Sequence, residues 1–400
     1  MARKTYEELS AIIKSAGVSR GWSWSRWNCF CTSPYEYFLK YIDKVKPDRD
    51  DCIYTTTGGI VHDILEKYYT HNISYNDMID MFEDAWMTAF DIAQLKFDRN
   101  NEEKNEQIAH RYYEDLENFF MHHVPINENV VVEQFVKAMI GGNFFHGYID
   151  ACFKDEENNI HIVDWKTSSI YKGKKAENEC GQLIVYAIGL HQQGIPFDKI
   201  RICWNFLKYV SVQVQQANGS VKTREIERCE IGSQLQNNAR MWLKKLGYDD
   251  VDNYLKMLLD TNSIEVLPDD VQAKYKINDC YVYIPITEKL IDKWTNKITT
   301  VIEDIVSREE YYNETKNEKT FWDTEDSMKA QSYYFATLCE YSPYKHKPYK
   351  KYLDELGESQ KEKDKLYMNM GGKKTGSVNG LTINISKPNA ADDYSWLDNI

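Results

Sequence analysis

The chain lacks any long apolar stretch. No uninterrupted run among its 400 residues approaches the roughly 20 apolar residues that a membrane-spanning helix needs, and its first ten residues lack the apolar core of a secretory signal peptide. Hydrophobic residues nevertheless make up 42% of the chain and aromatic residues 14%, which is enough for a sizeable core. These features predict a folded cytoplasmic protein, in the host cytoplasm if the source is viral, with no membrane association.

A regular cysteine framework is also missing. The nine cysteines are odd in number and scattered along the chain, which argues against the disulfide scaffold of a small secreted protein. Free thiols or a metal centre that uses some of them remain. Zinc is the less favoured metal, because the Cys29-x-Cys31 spacing is tighter than the usual Cys-x2-Cys and no second pair repeats a ligand spacing.

The third absence is an excess of positive charge. The chain has 49 basic and 62 acidic residues, giving a net charge of -13, which argues against binding nucleic acid through the whole surface. A local basic channel is still compatible with this charge. Enzymes that hydrolyse phosphodiesters also need carboxylates to hold metal ions, so acidity and nucleic-acid chemistry can coexist.

The pattern of apolar residues changes along the chain. Helical periodicity dominates the first 125 residues, and from residue 130 short β-branched and aromatic runs predict strands over 130–140, 143–153, 160–167 and 201–207. The remaining periodic segments predict helices at 177–193, 231–259, 286–307 and 325–340. We therefore predict four regions: helical 1–125, a core of sheet and helix at 126–230, helical 231–356, and a loosely ordered tail at 357–400.

The segments around Asp150 and Asp164 carry the clearest chemical signal. If the turn between their strands is centred on Glu157, these two aspartates face each other, with Cβ atoms roughly 4.5 to 5.5 Å apart. Two like charges at that distance destabilise the sheet unless a cation lies between them. Lys166 is two residues beyond Asp164 and therefore lies on the same face.

Two carboxylates and a lysine on one strand face suit phosphodiester hydrolysis. The carboxylates can hold hard divalent cations, which polarise a phosphate and lower the pKa of bound water. The lysine can orient the attacking water and offset transition-state charge. An Asp-x-Lys triplet by itself, however, is also typical of an ordinary solvated strand face.

Several segments together resemble one known family, the PD-(D/E)XK nuclease superfamily, and within it the RecB-type exonucleases, which include AddB-like and phage enzymes. The resemblance covers about residues 20–207 and a short stretch near 331–345. It implies an α/β (α+β) fold with a restriction-endonuclease-like core, a mixed sheet flanked by helices, with a helical N-terminal region and helical insertions. Five motifs carry it, in the family's order: Ser23–Pro34, Gly58–His62, Gly147–Asp150, Val163–Thr167 and Gln182–Tyr186.

The resemblance implies a role for each matching residue. Lys166 would be the catalytic lysine, acting with the carboxylates of Asp164 and Asp150. The family's Glu-x-x-Phe strand is matched only loosely by Glu133–Val136, where the aromatic comes one residue early, so Glu133 would support the site or a second metal ion. The ligands of Mg2+ or Mn2+ would be His62, Asp150, Asp164 and the backbone carbonyl of Trp165. Gln182 and Tyr186 would line the path of the DNA or position the lysine and the phosphate.

Many RecB-type enzymes also hold a four-iron cluster with one N-terminal and three C-terminal cysteines. Here Ser33 precedes Pro34, and Ser342 stands where a second C-terminal thiolate is expected after Cys339. At least two of the four ligands are therefore missing, so we expect no iron-sulfur cluster. The two chain ends could still pack together through aromatic and proline contacts.

Lysine clusters mark the expected contacts with DNA. Lys172, Lys174 and Lys175 follow the Asp-Trp-Lys strand directly, and basic loops with nearby aromatic residues suit a phosphate backbone and unpaired bases. A second cluster at 345–351 is interleaved with tyrosines. The end of the chain, 391–400, mixes acidic and large apolar residues, which is typical of peptides that dock into a partner protein.

The resulting hypothesis is a metal-dependent DNA exonuclease of RecB type, in recombination, repair or phage DNA metabolism. Two alternatives keep the same fold: a non-catalytic DNA-binding or scaffold subunit, and a structure-specific endonuclease. The intact set of Asp150, Asp164 and Lys166 disfavours the first alternative. The motifs do not separate exonuclease from endonuclease.

Overall fold

The computed structural model describes residues 3–49, 52–99, 101–369, 376–378 and 381–383. The α-helices are α1 Tyr6–Ser15, α2 Trp24–Thr32, α3 Pro34–Tyr37, α4 Ile53–Tyr69, α5 Asp77–Trp86, α6 Glu102–His122, α7 Lys174–Glu179, α8 Gly181–Gln192, α9 Ile231–Leu246, α10 Val251–Thr261, α11 Asp269–Gln272, α12 Glu288–Thr315, α13 Glu325–Ala330 and α14 Lys347–Asn369. The strands are β1 Gly21–Trp22, β2 Val131–Ile140, β3 Asn143–Lys154, β4 Ile160–Lys166, β5 Ile200–Gln215, β6 Val221–Glu227, β7 Tyr275–Ile284, β8 Gly376–Val378 and β9 Leu381–Ile383.

The chain folds into two compact units that are each discontinuous in sequence. The first contains the residues up to Trp24 together with Ile53–Thr299. The second contains Ser25–Cys52 and the residues from Thr300 onward. The candidate site residues belong to the first unit, and the second unit brings together two distant parts of the chain.

A mixed sheet forms the centre of the first unit. It has seven strands in the described part of the chain, with β3, β4, β5 and β6 in sequence, β1 and β2 pairing with β3, and β7 pairing with β5. Strands β4 and β5 run parallel, which requires a crossover connection, and α7 and α8 supply it. The other long pairs are antiparallel. The predicted mixed sheet flanked by helices is therefore confirmed.

The β3–β4 hairpin has the register that a turn centred on Glu157 predicts, since Ala151 pairs with Val163. The pairing of β3 with β4 ends at Ala151. Toward the start of β3, the next residue paired on that edge is Phe145, which pairs with Trp22 of β1. In the described residues, His146–Asp150 therefore has no strand partner on that edge. The two strands separate at the point where Asp150 and Asp164 follow the last pair.

Apolar side chains on one face of the sheet pack against α4, α5 and α6. This cluster includes Val132, Ala151, Val163 and Trp165 from β2, β3 and β4. Because successive strand residues point to opposite faces, Asp150, Asp164 and Lys166 face away from it. Helix α8 packs against β2, where Gly189 lies so close to Lys137 that a Cβ would be 2.7 Å from its carbonyl oxygen.

In the second unit, the two distant parts of the chain are joined by a buried polar cluster that we call the clasp: Ser33, Asp323 and His346. Ser33 Oγ donates to Asp323 Oδ2 at 2.8 Å and lies 3.2 Å from His346 Nε2. Aromatic contacts accompany the clasp, as between Tyr35 and His346, with ring centroids 5.0 Å apart. The expected packing of the chain ends without a complete cysteine set is present here.

Several elements differ from the sequence prediction. Strand β7 was not predicted, the helices expected at 177–193 and 231–259 are each broken in two, and the glycine pair at 58 and 59 lies inside α4 instead of preceding it. Helix α14 continues through 357–369, where a loose tail was expected. The proposed docking peptide at 391–400 lies outside the described residues. Among the described residues, no helix combines the length and apolar character needed to cross a membrane.

Candidate active site

Asp150 occupies the gap where β3 and β4 separate. Its Oδ2 accepts a hydrogen bond from the backbone N–H of Trp165 at 3.0 Å, so the carboxylate replaces the backbone acceptor that a continued ladder would supply. Its Oδ1 lies 3.7 Å from His62 Nδ1. One oxygen thus holds the strand, and the other faces the imidazole.

Asp164 and Lys166 form an ion pair on the same face of β4. Lys166 Nζ lies 2.6 Å from Asp164 Oδ2, and the charge of Asp164 helps to raise the pKa of Lys166. The Asp164 side chain is only 5% exposed. Lys166 therefore compensates the charge of this buried carboxylate.

His62 reaches the site from α4. Its Nε2 lies 3.0 Å from the carbonyl oxygen of Trp165. A carbonyl can only accept, so Nε2 is the donor in this contact. The indole ring of Trp165 packs edge-on against the imidazole at 5.6 Å, which fixes the ring between strand and carboxylate.

The pKa values reflect this crowding of charges. Burial, followed by the negative charge of Asp164, raises the pKa of Asp150 to about 6, although His62 and Lys166 act in the opposite direction. Burial alone would lower the pKa of Lys166, but the charges of Asp164 and Asp150 outweigh it and raise the pKa above its usual value. Lys166 is therefore a fixed cation at neutral pH.

Glu133 lies in β2 at the register position opposite Asp150, since its neighbours pair with Ala151 and Ile149. Its backbone has a φ of +50°, a strained conformation for a residue with a side chain. Its carboxylate is held by Arg3, whose Nε and Nη2 donate at 2.8 and 3.1 Å. Glu133 thus borders the aspartates but is already paired with a guanidinium.

Gln182 and Tyr186 contact each other on one face of α8, where Gln182 Nε2 donates to the Tyr186 hydroxyl at 2.9 Å. Burial raises the pKa of the Tyr186 hydroxyl. The charges of Asp164 and Asp150 act in the same direction, and the charge of Lys166 acts in the opposite direction. The ring lies over Gly147, where a Cβ would be 2.9 Å from Cε1. The glycine of the Gly147–Asp150 motif therefore leaves space for the tyrosine of the Gln182–Tyr186 motif.

The three predicted DNA-contacting lysines lie in different environments. Lys172 Nζ is paired with Glu225 at 2.8 Å, while Lys174 is exposed at the start of α7. Lys175 Nζ packs 4.9 Å from the centre of the Tyr171 ring and is buried without a hydrogen-bond partner in the described residues. Burial lowers its pKa.

The donor types suit a hard divalent cation: two carboxylates, an imidazole nitrogen and a backbone carbonyl oxygen. The negative charge of Asp164, which helps to raise the pKa of Asp150, supports that fit, because a cation would relieve the repulsion between the two carboxylates. A different set of side chains has closely spaced ligand atoms, however. Among the described residues, one group of three His, Cys, Asp or Glu side chains has all its ligand atoms within 4.8 Å of one another, and it consists of Asp115, Glu227 and Cys229.

The Asp115 cluster already contains its own cations. Lys208 Nζ lies 3.7 Å from Asp115 Oδ2, and Arg111 is paired with Glu227. Two carboxylates and two basic groups balance each other, so this arrangement is explained as an ion network that is buried at Asp115 and Lys208 and exposed at Arg111. No local sequence signal predicts it, because its members come from α6, β5, β6 and the turn that follows β6.

The family model of the PD-(D/E)XK nuclease superfamily matches residues 21–345. That match spans well over half of the chain and includes the strands and helices that carry the residues above. The chain belongs to the PD-(D/E)XK nuclease superfamily. Its activity is therefore hydrolysis of phosphodiester bonds in DNA with the help of divalent metal ions. No curated protein matches the chain.

The PD-(D/E)XK site also contains residues that the sequence reasoning did not select. Arg3 binds Glu133, and the negative charge of Glu66 helps to raise the pKa of Arg3. Glu66 lies one helical turn after His62 in α4. The i, i+4 spacing from His62 could have indicated Glu66, whereas no local signal links Arg3 to the site. A cavity of about 330 Å3 elsewhere in the first unit contains none of the predicted site residues.

Proposed function

We propose that this PD-(D/E)XK protein is a RecB-type DNA exonuclease that acts in DNA recombination, repair or phage DNA metabolism. The observation that carries the proposal is the arrangement at the gap between β3 and β4. There Asp150 is bonded to the Trp165 N–H, His62 to the Trp165 carbonyl, and Lys166 is paired with Asp164. This places carboxylates, imidazole and ammonium around one backbone unit.

In this proposal His62, Asp150, Asp164 and the Trp165 carbonyl would hold Mg2+ or Mn2+. The imidazole would first give up its bond to that carbonyl, because its two ring nitrogens point away from each other. A bound ion of this kind supplies Lewis acidity, polarising the phosphate and lowering the pKa of bound water. Lys166 remains charged at neutral pH, so it orients the attacking water and offsets charge on the phosphate oxygens. Glu133 supports the site through its position opposite Asp150.

The substrate is held by groups on α7 and α8 and the loop before them. The bond from Gln182 uses an acceptor lone pair of the Tyr186 hydroxyl, so the hydroxyl proton can be donated to a phosphate oxygen. Lys172, Lys174 and Lys175 follow the catalytic strand, and we propose that they supply positive charge along the DNA backbone. Lys174 is exposed, whereas Lys172 would have to leave Glu225 and Lys175 would have to leave its buried position at the Tyr171 ring. The acidic and apolar end of the chain, 391–400, is proposed to dock a protein partner, and the site of action is proposed to be the cytoplasm.

The clasp supports the RecB-type assignment. Family members with a cluster join the N-terminal cysteine-proline segment to the C-terminal cysteine segment, and here Ser33 and His346 join the same two stretches by hydrogen bonds. We therefore propose that no iron-sulfur cluster is needed. Metal analysis of anaerobically purified protein is expected to find no iron in stoichiometric amount.

Comparing linear with circular duplex of the same sequence, in Mn2+, tests the exonuclease proposal. Degradation of the linear form alone is expected, because an exonuclease requires an end. Cleavage of the circular form would favour the structure-specific endonuclease instead. If neither form is cut but both are bound, the non-catalytic DNA-binding alternative is favoured.

A further inference from the structure

Behind the candidate site, on the apolar face of the sheet, runs a buried chain of hydrogen bonds that none of the proposed catalytic roles uses. The Tyr69 hydroxyl lies 2.9 Å from His123 Nε2, and His123 Nδ1 lies 3.0 Å from Asp279 Oδ2. Asp279 Oδ1 accepts from Arg228 Nη2 at 2.5 Å, and Arg228 Nε donates to the Leu207 carbonyl at 2.8 Å. We call Tyr69, His123, Asp279 and Arg228 the brace.

Backbone groups also bond to the brace. The Ile126 N–H donates to the Tyr69 hydroxyl at 3.3 Å, and the Val124 N–H donates to Asp279 Oδ2 at 3.3 Å. Burial would raise the pKa of Asp279, but the bond from His123 and the charge of Arg228 outweigh it and lower that pKa.

The brace joins elements that are distant in sequence. Its side chains come from the end of α4, the residue after α6, strand β7 and the turn before α9, and Arg228 also holds β5 through Leu207. His123, Asp279 and Arg228 have side chains no more than 4% exposed. A fully bonded network in such surroundings is rigid, because each broken bond leaves a buried polar atom without a partner.

The brace touches the site at Trp165. The Tyr69 ring stacks on the Trp165 indole, with centroids 6.1 Å apart and planes 15° from parallel. His62, two helical turns earlier in α4, packs against the same indole and bonds the Trp165 carbonyl. Trp165 is therefore held by two side chains of one helix, and the hydroxyl of one of them is fixed by His123.

We propose that Tyr69, His123 and Asp279 are positioning residues that fix Trp165, and through it the backbone N–H and carbonyl around which the carboxylates and His62 are arranged. This inference rests on the proposed function, because it assigns the brace a purpose at that metal site. Groups that orient metal ligands typically change metal affinity 10–100-fold when they are removed. Tyr69 lies one step further from the ligands, so a smaller change of about 3–10-fold is expected.

The test compares Tyr69→Phe with Tyr341→Phe. Tyr69→Phe keeps the ring that stacks on Trp165 and removes only the hydroxyl. Tyr341→Phe removes a buried hydroxyl of the second unit, which donates to the Val45 carbonyl at 2.8 Å, so it is a matched control for the loss of one hydrogen bond. Mn2+ binding is measured by titration calorimetry without DNA, and amide exchange is followed in the peptide that contains Trp165.

Tyr69→Phe is expected to weaken Mn2+ binding about 3–10-fold and to speed exchange in the β4 peptide, while Tyr341→Phe changes neither. His123→Asn gives a second reading, because asparagine can keep the bond to Asp279 but cannot reach Tyr69, and the same weakening is expected. Mn2+ affinity within twofold of the unmodified protein in both brace variants would overturn the proposal. Asp164→Asn separates the two claims: if it also leaves Mn2+ binding unchanged, the proposed metal site is wrong, whatever the brace does.

Discussion

At the scale of single residues, the candidate site consists of charged side chains that each bond to or pair with a neighbouring group. Asp150 divides its carboxylate between a backbone N–H and His62, and Lys166 compensates Asp164. The sequence predicted these residues because the family motifs are local in the chain. It could not predict the bond between Arg3 and Glu133, which joins residues 130 positions apart and depends on the folded path of the N-terminal segment.

Asp115 provides a residue-scale prediction about pH. Burial raises its pKa from 3.8 to about 6, so the folded protein binds this proton more tightly than the unfolded chain does. The carboxyl group therefore favours folding below pH 3.8, and this contribution is lost as the pH rises through 6. The difference between the two pKa values corresponds to about 3 kcal/mol. Relative to the unmodified protein, Asp115→Asn is expected to gain about that much unfolding free energy between pH 4 and pH 7.

Urea unfolding at several pH values measures this difference. Asp155→Asn is the matched control of opposite sign, because the bonds from Asn159 and His161 hold the pKa of this partly exposed carboxyl low. The stabilising effect of the Asp155 carboxylate is present above pH 3.8 and is lost on acidification. The unfolding free energy of the asparagine variant should therefore decrease relative to that of the unmodified protein as the pH rises. A pH-independent difference for Asp115→Asn would contradict the account.

At the scale of elements, the sequence predicted those elements that depend on contacts between residues close in the chain. The β3–β4 hairpin follows from its turn residues and alternating strands, and its register agrees with them. Strand β7 was missed because its sequence places Asn278 and Asp279 in the middle, where a strand is expected to be apolar. Asp279 is tolerated there because His123 and Arg228, both distant in sequence, neutralise and bond it.

The contact between β3 and α8 predicts the effect of Gly147→Ala. The added Cβ would lie 2.9 Å from Tyr186 Cε1, and overpacking of this kind typically costs about 1–3 kcal/mol. The variant is expected to lose that much unfolding free energy in urea. Gly59→Ala is the control, because a Cβ there meets open space in the described residues and alanine favours a helix by up to about 1 kcal/mol.

A double variant tests whether Tyr186 is the cause. Tyr186→Leu removes the ring atoms that meet the new methyl group, so Gly147→Ala should cost much less in its presence. Equal costs in the two backgrounds would show that the strain arises elsewhere.

The segment that follows β4, through the start of α7, predicts a difference between two neighbouring lysines. Lys174→Ala should reduce the dependence of duplex binding on salt, by about 0.9 in the slope of log affinity against log salt if it contacts one phosphate. Lys172→Ala should change the slope less, because its ammonium is already paired with Glu225. Fluorescence anisotropy with labelled DNA in EDTA, at four salt concentrations, measures both slopes. A larger change for Lys172→Ala would contradict this assignment.

At the scale of the whole molecule, the second unit depends on joining two distant stretches of chain. Ser33→Ala removes the bond to the buried Asp323 and the cap on the Glu36 N–H. Asp323 Oδ2 keeps its contact with His346 Nε2 at 3.2 Å, and loss of a hydrogen bond to a buried charged group typically costs about 1–3 kcal/mol. We expect a loss of about 2–3 kcal/mol in urea unfolding. Ser342→Ala, which removes a more exposed bond to Asp48, should cost less than about 1 kcal/mol. Equal losses would argue against the clasp.

The measurement that tests the central claim most directly is a time course on end-labelled linear DNA, single-stranded and duplex, with Mg2+ or Mn2+. The unmodified protein is expected to release labelled nucleotides or short products only when metal is present. Lys166→Ala should be slower by at least about 100-fold, the usual cost of removing one charge-stabilising group, while the paired Lys172→Ala should retain most activity. No degradation of either DNA, or equal rates for the unmodified protein and Lys166→Ala, would contradict the account.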